Sequence, residues 1–228
     1  MSEVEYRQSR FTPPPGATDI LLIRHGESAP AVPGEPFDLV DGQGDPDLAP
    51  DGREQAELVA QRLAGESFAA LYTTNLRRTA QTAAPLAEKL GMAPQVEKEL
   101  REVHLGEFEG GVFRRKVAEN DPVIQRMFAE GRWDVIPGAE PAEAFHERVR
   151  TALERLARAH PDERIAVFTH GGVIGRIIEL AAGARPMSFL GAANGSLSQI
   201  VISGDRWIVR RFNETAHLGD GPQPAALS

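Results

Sequence analysis

Two short apolar runs constrain this chain more than anything else in it. Ile20-Leu21-Leu22-Ile23 and Ile165-Ala166-Val167-Phe168 are unbroken by polar residues. Such runs suit strands covered on both faces, the pattern of a parallel sheet. Each then stops abruptly. The first runs into Arg24-His25-Gly26-Glu27, and the second into Thr169-His170-Gly171-Gly172. In open α/β sheets ligands bind just past the carboxyl ends of strands. Two imidazoles and a guanidinium therefore reach the same side of one sheet, a setting for an anionic substrate.

A third strand end adds to this. Ala69-Ala70-Leu71-Tyr72-Thr73 reads as a short strand, and Thr74 or Asn75 offers a cap for the helix that follows. That helix carries Arg77 and Arg78 in its first turn and stops at Gly91. Cations there oppose the helix macrodipole. An anion held jointly by the exposed N–H groups and an arginine makes the placement intelligible.

The remaining elements alternate. A helix opens at Asp51 with an apolar stripe of Ala56, Leu58, Val59 and Leu63 and ends near Gly65. Residues 95–98 look extended, and helical pieces follow around 112–119 and 121–131. A loop over 133–141 leads into a helix reaching about Ala159, with Phe145, Val149, Ala152, Leu153 and Leu156 on its buried face. The second histidine motif leads into a helix over 173–180, and strands over 197–203 and 206–212 flank a turn at Gly204-Asp205. Strand and helix alternation predicts one α/β domain over 18–218, three-layered, with a mostly parallel sheet flanked by helices. Residues 1–17, with Pro13-Pro14-Pro15, read as a surface extension, and 219–228 as a loose tail.

Composition removes several functional classes. With no cysteine there is no disulfide, zinc thiolate or cysteine nucleophile, which fits a reducing cytoplasm. A formal net charge of −8 argues against nucleic acid as a partner. No apolar run approaches the roughly 20 residues of a membrane helix. The loop over 30–50 carries Glu35, Asp38, Asp41, Asp45 and Asp47 but not the spacing of an EF-hand, so we assign it no metal. Its length marks it as a functional loop. Self-association is left open.

Five stretches in order resemble the histidine phosphatase superfamily, the phosphoglycerate mutase-like proteins. Arg24-His25-Gly26-Glu27 matches the family's R-H-G signature. Leu48 to Ala56 resembles L-T-x-x-G-x-x-Q-A, and Leu76-Arg77-Arg78-Thr79-Ala80-Gln81-Thr82-Ala83 resembles L-x-R-A-x-x-T-A. Leu100-Arg101-Glu102 with Gly106 resembles the acid-bearing segment, and Thr169-His170-Gly171-Gly172 the second histidine motif. The resemblance implies a phosphoglycerate mutase-like fold and a small phosphomonoester substrate, without cofactor or metal. It implies His25 as a nucleophile forming phosphohistidine, and Glu102 as the acid and then base. Arg24, Arg78 and His170 would hold the phosphoryl oxygens, with the Gly171 N–H adding to them. The L-x-R spacing selects Arg78 over Arg77. Glu27 is expected to shape its loop, His104 to be structural or substrate-touching, and Arg132 to be the one candidate for a substrate clamp.

Departures from the mutase pattern favour hydrolysis. Where mutases read R-H-G-E-S-x-W-N, this chain has Pro30 and Ala31 in place of the tryptophan and asparagine. The arginine and tyrosine of E-R-H-Y-G are Val103 and Leu105, and the lysine of G-L-N-K is Phe113. A mutase grips a doubly anionic substrate, and these losses weaken that grip. The expectation is a phosphatase. A mutase and a non-catalytic phospho-ligand binder remain as alternatives.

Overall fold

The computed structural model describes residues 7–219. In chain order the elements are β1 (Thr18–Arg24), β2 (Leu39–Val40), β3 (Gln43–Gly44), α1 (Pro50–Leu63), β4 (Ala70–Thr73), α2 (Arg77–Leu90) and β5 (Gln95–Val96). They continue with α3 (Val112–Ala118), α4 (Pro122–Glu130), α5 (Ala142–Ala159), β6 (Arg164–Thr169), α6 (Gly171–Ala182), β7 (Leu197–Ser203) and β8 (Arg206–Glu214). Six strands form one sheet in the order β5-β4-β6-β1-β7-β8. The pairings of β5 with β4, β4 with β6 and β6 with β1 are parallel, and those of β1 with β7 and β7 with β8 are antiparallel. Helices cover both faces, giving a three-layer α/β fold.

The apolar run of β1 divides its side chains between two cores. Ile20 and Leu22 point to one face, where Phe145, Val149 and Leu153 of α5 and Val173 and Ile177 of α6 meet them. Leu21 and Ile23 point to the other, against Val59 and Leu63 of α1 and Ala83 and Leu86 of α2. All four β1 side chains are fully buried. Each contributes roughly 1.5–3 kcal/mol of burial free energy. This is the physical reason for the unbroken apolar pattern.

β1 and β6 are neighbours in register, Arg24 opposite Thr169, and the His25 N–H donates to the Thr169 carbonyl at 3.0 Å. The next residue on each strand, His25 and His170, therefore stands at the same edge of the sheet. β4 ends beside β6, and the start of α2 opens on that edge as well.

Two expectations are corrected. The α2 N-terminus is not capped by Thr74 or Asn75. Its N-cap is Leu76, and Asp45 reaches in from β3, accepting the Arg77 N–H at 2.8 Å and Arg77 Nε at 2.9 Å. The anion that offsets Arg77 is thus an internal carboxylate. The loop over 30–50 is tied by the β2–β3 pair and a bridge between Ser28 and Leu48. Finally, α6 begins at Gly171, two residues early, so both glycines lie in its first turn. The N-terminal extension is described from residue 7. Its end is pinned where the Asp162 N–H donates to Ala17 O at 2.9 Å. Residues 1–6 and the tail beyond 219 lie outside the described residues.

Candidate active site

His25 is held from four directions. Its Nδ1 lies 2.7 Å from the Gly26 carbonyl, which can only accept, so Nδ1 carries the proton. Nε2 is then the lone-pair nitrogen, and Arg78 Nε donates to it at 3.2 Å. Asn194 Nδ2 donates to the His25 carbonyl at 2.9 Å, and the Gly195 N–H to the Arg24 carbonyl at 3.1 Å. Burial, then the charges of Arg78 and Arg24, push the His25 pKa well below its ordinary value. The imidazole is neutral at physiological pH.

The motif residues around it act on the backbone of the same loop. The Gly26 N–H donates to Thr82 Oγ1 at 3.0 Å, and the Glu27 N–H to Gln55 Oε1 at 2.8 Å. The Gly26–Glu27 backbone lies directly on α1. A Cβ on Gly52 would sit 1.9 Å from Glu27 O, and one on Gly26 would sit 2.3 Å from Gly52 O. Only glycine fits at either position. Glu27 itself is exposed and shapes the loop through these backbone bonds.

His170 packs edge-on against His25, with ring centroids 5.2 Å apart. Its Nε2 lies 3.0 Å from Thr74 Oγ1, and its buried Nδ1 has no partner among the described residues. Burial and then Arg78 lower its pKa well below the ordinary value, so it too is neutral. Arg24 is buried, donates to the Ala192 carbonyl, and lies against Gly171, where a Cβ would come within 3.3 Å of its guanidinium. Arg78 donates to the Gly44 carbonyl at 2.9 Å. Desolvation lowers both arginines to about 10, and Glu102 is the largest influence opposing it. Both remain cations at neutral pH.

Glu102 faces these groups from the 100–110 segment. Its Oε1 accepts the Val103 N–H at 3.0 Å and its Oε2 the Gly172 N–H at 3.1 Å. A Cβ on Gly172 would lie 2.6 Å from Oε1, so the second glycine of the motif admits the carboxylate. Arg148, on α5, fixes the backbone behind it by donating to the carbonyls of Glu99, Arg101 and Glu102. It is itself held by Glu140 at 2.6 Å.

His25, Arg78 and Glu102 line one small cavity of about 60 Å³ together with Gly44, Glu109 and Arg114. Arg77 points elsewhere, paired with Asp45, Asp47 and Asp38. His104 takes no part in the lining, and its Nδ1 accepts the Gly106 N–H at 3.1 Å. Arg132 is half exposed and paired with Asp134 and Glu130. Sequence reasoning missed Arg114, Asn194 and Thr74. Nothing in their local pattern marks them, because each acts across the fold.

A parallel sheet that delivers two neutral histidines, two buried arginines and a carboxyl group to one edge belongs to an enzyme that handles anions. The chain is a member of the histidine phosphatase superfamily (branch 1), whose sequence profile matches residues 20–215. It is similar to phosphoglycerate mutase-like protein 4 of Arabidopsis thaliana, at 34% identity over 88% of this chain and 86% of the relative. It is also similar to a metal-independent phosphoserine phosphatase of the same plant, at 32% over 88% and 83%. Among solved structures, a phosphoglycerate mutase from Bacillus anthracis superposes with a TM-score of 0.75 at 20% identity, covering 90% of this chain and 96% of that one. A phosphoserine phosphatase mutant from Entamoeba histolytica superposes at 0.73 and 23%, covering 88% and 99%. These structural likenesses establish the fold.

Proposed function

We propose that this chain is a metal-independent phosphatase of small phosphomonoesters that works through a phosphohistidine at His25 Nε2. The observation that carries this is the tautomer. The Gly26 carbonyl holds the proton on Nδ1, and burial together with the neighbouring cations keeps the ring neutral, so Nε2 presents a lone pair beside Arg78. In the first step that pair attacks phosphorus and the P–O ester bond breaks. Glu102 serves as the general acid and supplies the proton taken up by the leaving alkoxide. In the second step Glu102 takes a proton from water, the resulting nucleophile attacks phosphorus, and the P–N bond returns its electrons to Nε2. Arg24 and Arg78 offset the charge spread over the phosphoryl oxygens. With Thr74 donating to Nε2 of His170, the unpartnered Nδ1–H becomes a further donor to phosphate, and the Gly171 N–H at the start of α6 another.

Hydrolysis is favoured over mutase chemistry because Val103 and Leu105 replace the mutase arginine and tyrosine and are buried in the core. Neither offers a second anion grip. The lack of cysteine is in keeping with a reducing compartment such as the cytoplasm. Among the described residues, no helix is long and apolar enough to cross a membrane.

The test is release of phosphate from p-nitrophenyl phosphate in EDTA between pH 5 and 8. Wild type is expected to turn over and His25→Ala to lose at least about 10³ of kcat. Silence of the wild type throughout would favour a phospho-ligand binder. With 3-phosphoglycerate and 2,3-bisphosphoglycerate, isomerisation faster than phosphate release would identify a mutase instead.

A further inference from the structure

The small cavity at His25 does not end at the phosphate. Gly110, Gly111 and Arg114 form a shared wall with a second cavity of about 650 Å³, between the 28–36 loop and α3. That volume lies in the range of pockets that enclose whole drug-sized ligands, about 300–1,000 Å³. Its surface is mostly Pro30, Val32, Pro33, Pro36, Val112 and Val117. Charge is scarce there. Arg115 points to solvent and is paired with Glu119, while Glu27 is an exposed carboxylate at the rim that repels anions.

Arg114 divides the two spaces. Its Nη1 donates to the Ala29 carbonyl and its Nη2 to Ser28 Oγ, both at 2.7 Å, and its guanidinium lies 5.3 Å from the centre of the Phe37 ring. These two bonds use two of its five N–H groups. The guanidinium is largely desolvated, and its charge reaches Arg24, His25 and Arg78. With Arg78 it is one of two arginines that line the small cavity.

We propose that the 650 Å³ cavity holds the leaving group of the substrate, and that this group is a bulky, predominantly apolar alcohol without a second anionic group, its ester end placed by Arg114. This rests on the phosphatase reading above and departs from the compact anionic bodies of phosphoserine and phosphoglycerate. Such bodies would leave most of the cavity unfilled.

The experiment compares esters of primary alcohols, so that leaving-group chemistry is matched: 2-(1-naphthyl)ethyl phosphate, n-hexyl phosphate and O-phosphoserine. Wild type is expected to show kcat/KM at least about 100-fold higher for the naphthylethyl ester than for phosphoserine, because apolar contacts of this extent discriminate by such factors. Ala118→Trp fills the cavity from an exposed rim position on α3. It should raise KM for the naphthylethyl ester at least about 10-fold and leave inhibition by inorganic phosphate within about twofold. Arg114→Gln should lower kcat/KM for all three esters. Preference for phosphoserine, or equal damage by Ala118→Trp to every ester and to phosphate inhibition, overturns the proposal. Turnover of p-nitrophenyl phosphate that depends on His25 reports separately on the underlying phosphatase reading.

Discussion

The two buried histidines make stability depend on pH in a way that can be worked from their surroundings. In the folded protein His25 and His170 are held neutral by burial and by the charges of Arg78 and Arg24, with Arg114 adding at His25 and Arg148 at His170. In the unfolded chain both titrate near the ordinary value of about 6.5. Above that pH neither state binds the protons, and the histidines contribute nothing to the pH slope. As pH falls below it, the unfolded chain takes up a proton at each and the folded cup does not, so stability is lost. The loss continues until the folded-state pKa values are reached, and then levels off. Its slope approaches about 1.4 kcal/mol per pH unit for each histidine, and about 2.7 for the pair. Urea unfolding followed by Trp133 and Trp207 fluorescence at pH 7.5, 6.0 and 5.5 measures it. The control is the double variant His25→Asn/His170→Asn. Depressed carboxylates such as Glu66 and Glu147 add a loss of the same sign at lower pH, equally in both proteins, as does His217 nearer neutrality. The wild-type curve should therefore fall more steeply below pH 6.5 than that of the variant. Parallel curves would refute the neutral pair.

Glu102→Gln should lower kcat about 10²–10⁴-fold for alkyl phosphates. It should cost less for p-nitrophenyl phosphate, whose leaving group needs no proton, and a pair of steady-state assays reads the difference. Gly52→Ala places a methyl group 1.9 Å from Glu27 O. It should destabilise by about 1–3 kcal/mol and, by displacing the His25 loop, lower kcat about 100-fold, read by urea melts and turnover together. Asp45→Ala removes both acceptors that hold the start of α2. A loss of about 1–2 kcal/mol, with little change in Arg78-dependent phosphate inhibition, is the expected result.

The legible parts of this fold are those where one residue's environment is set by its near neighbours. Ile20–Ile23 and Ile165–Phe168 announce double-sided burial, and the polar residues that follow place His25 and His170 at one sheet edge. What stayed hidden depends on distant chain. Asp45 caps α2 from across a 32-residue separation, and no local pattern near Thr74 signals it. Arg114 sits on a short helix among Arg115 and Lys116 and is told from them only by the Ser28–Ala29 loop folding onto it. The start of α6 is hidden because paired glycines read as a loop. In the structure they are a helical first turn, bare where Arg24 lies against Gly171 and Glu102 against Gly172.

The pairing of β1 with β6 has a consequence for biosynthesis. The two strands that carry the histidines lie 145 positions apart in sequence, Asp19 opposite Arg164, and parallel partners so remote are joined late in folding. A growing polypeptide on the ribosome would hold His25 for most of its translation with no second imidazole beside it and no wall behind Glu102. Catalytic competence should appear abruptly, once the segment through β7 has emerged, and a fragment ending before Arg164 should be inert even if its first helices are formed.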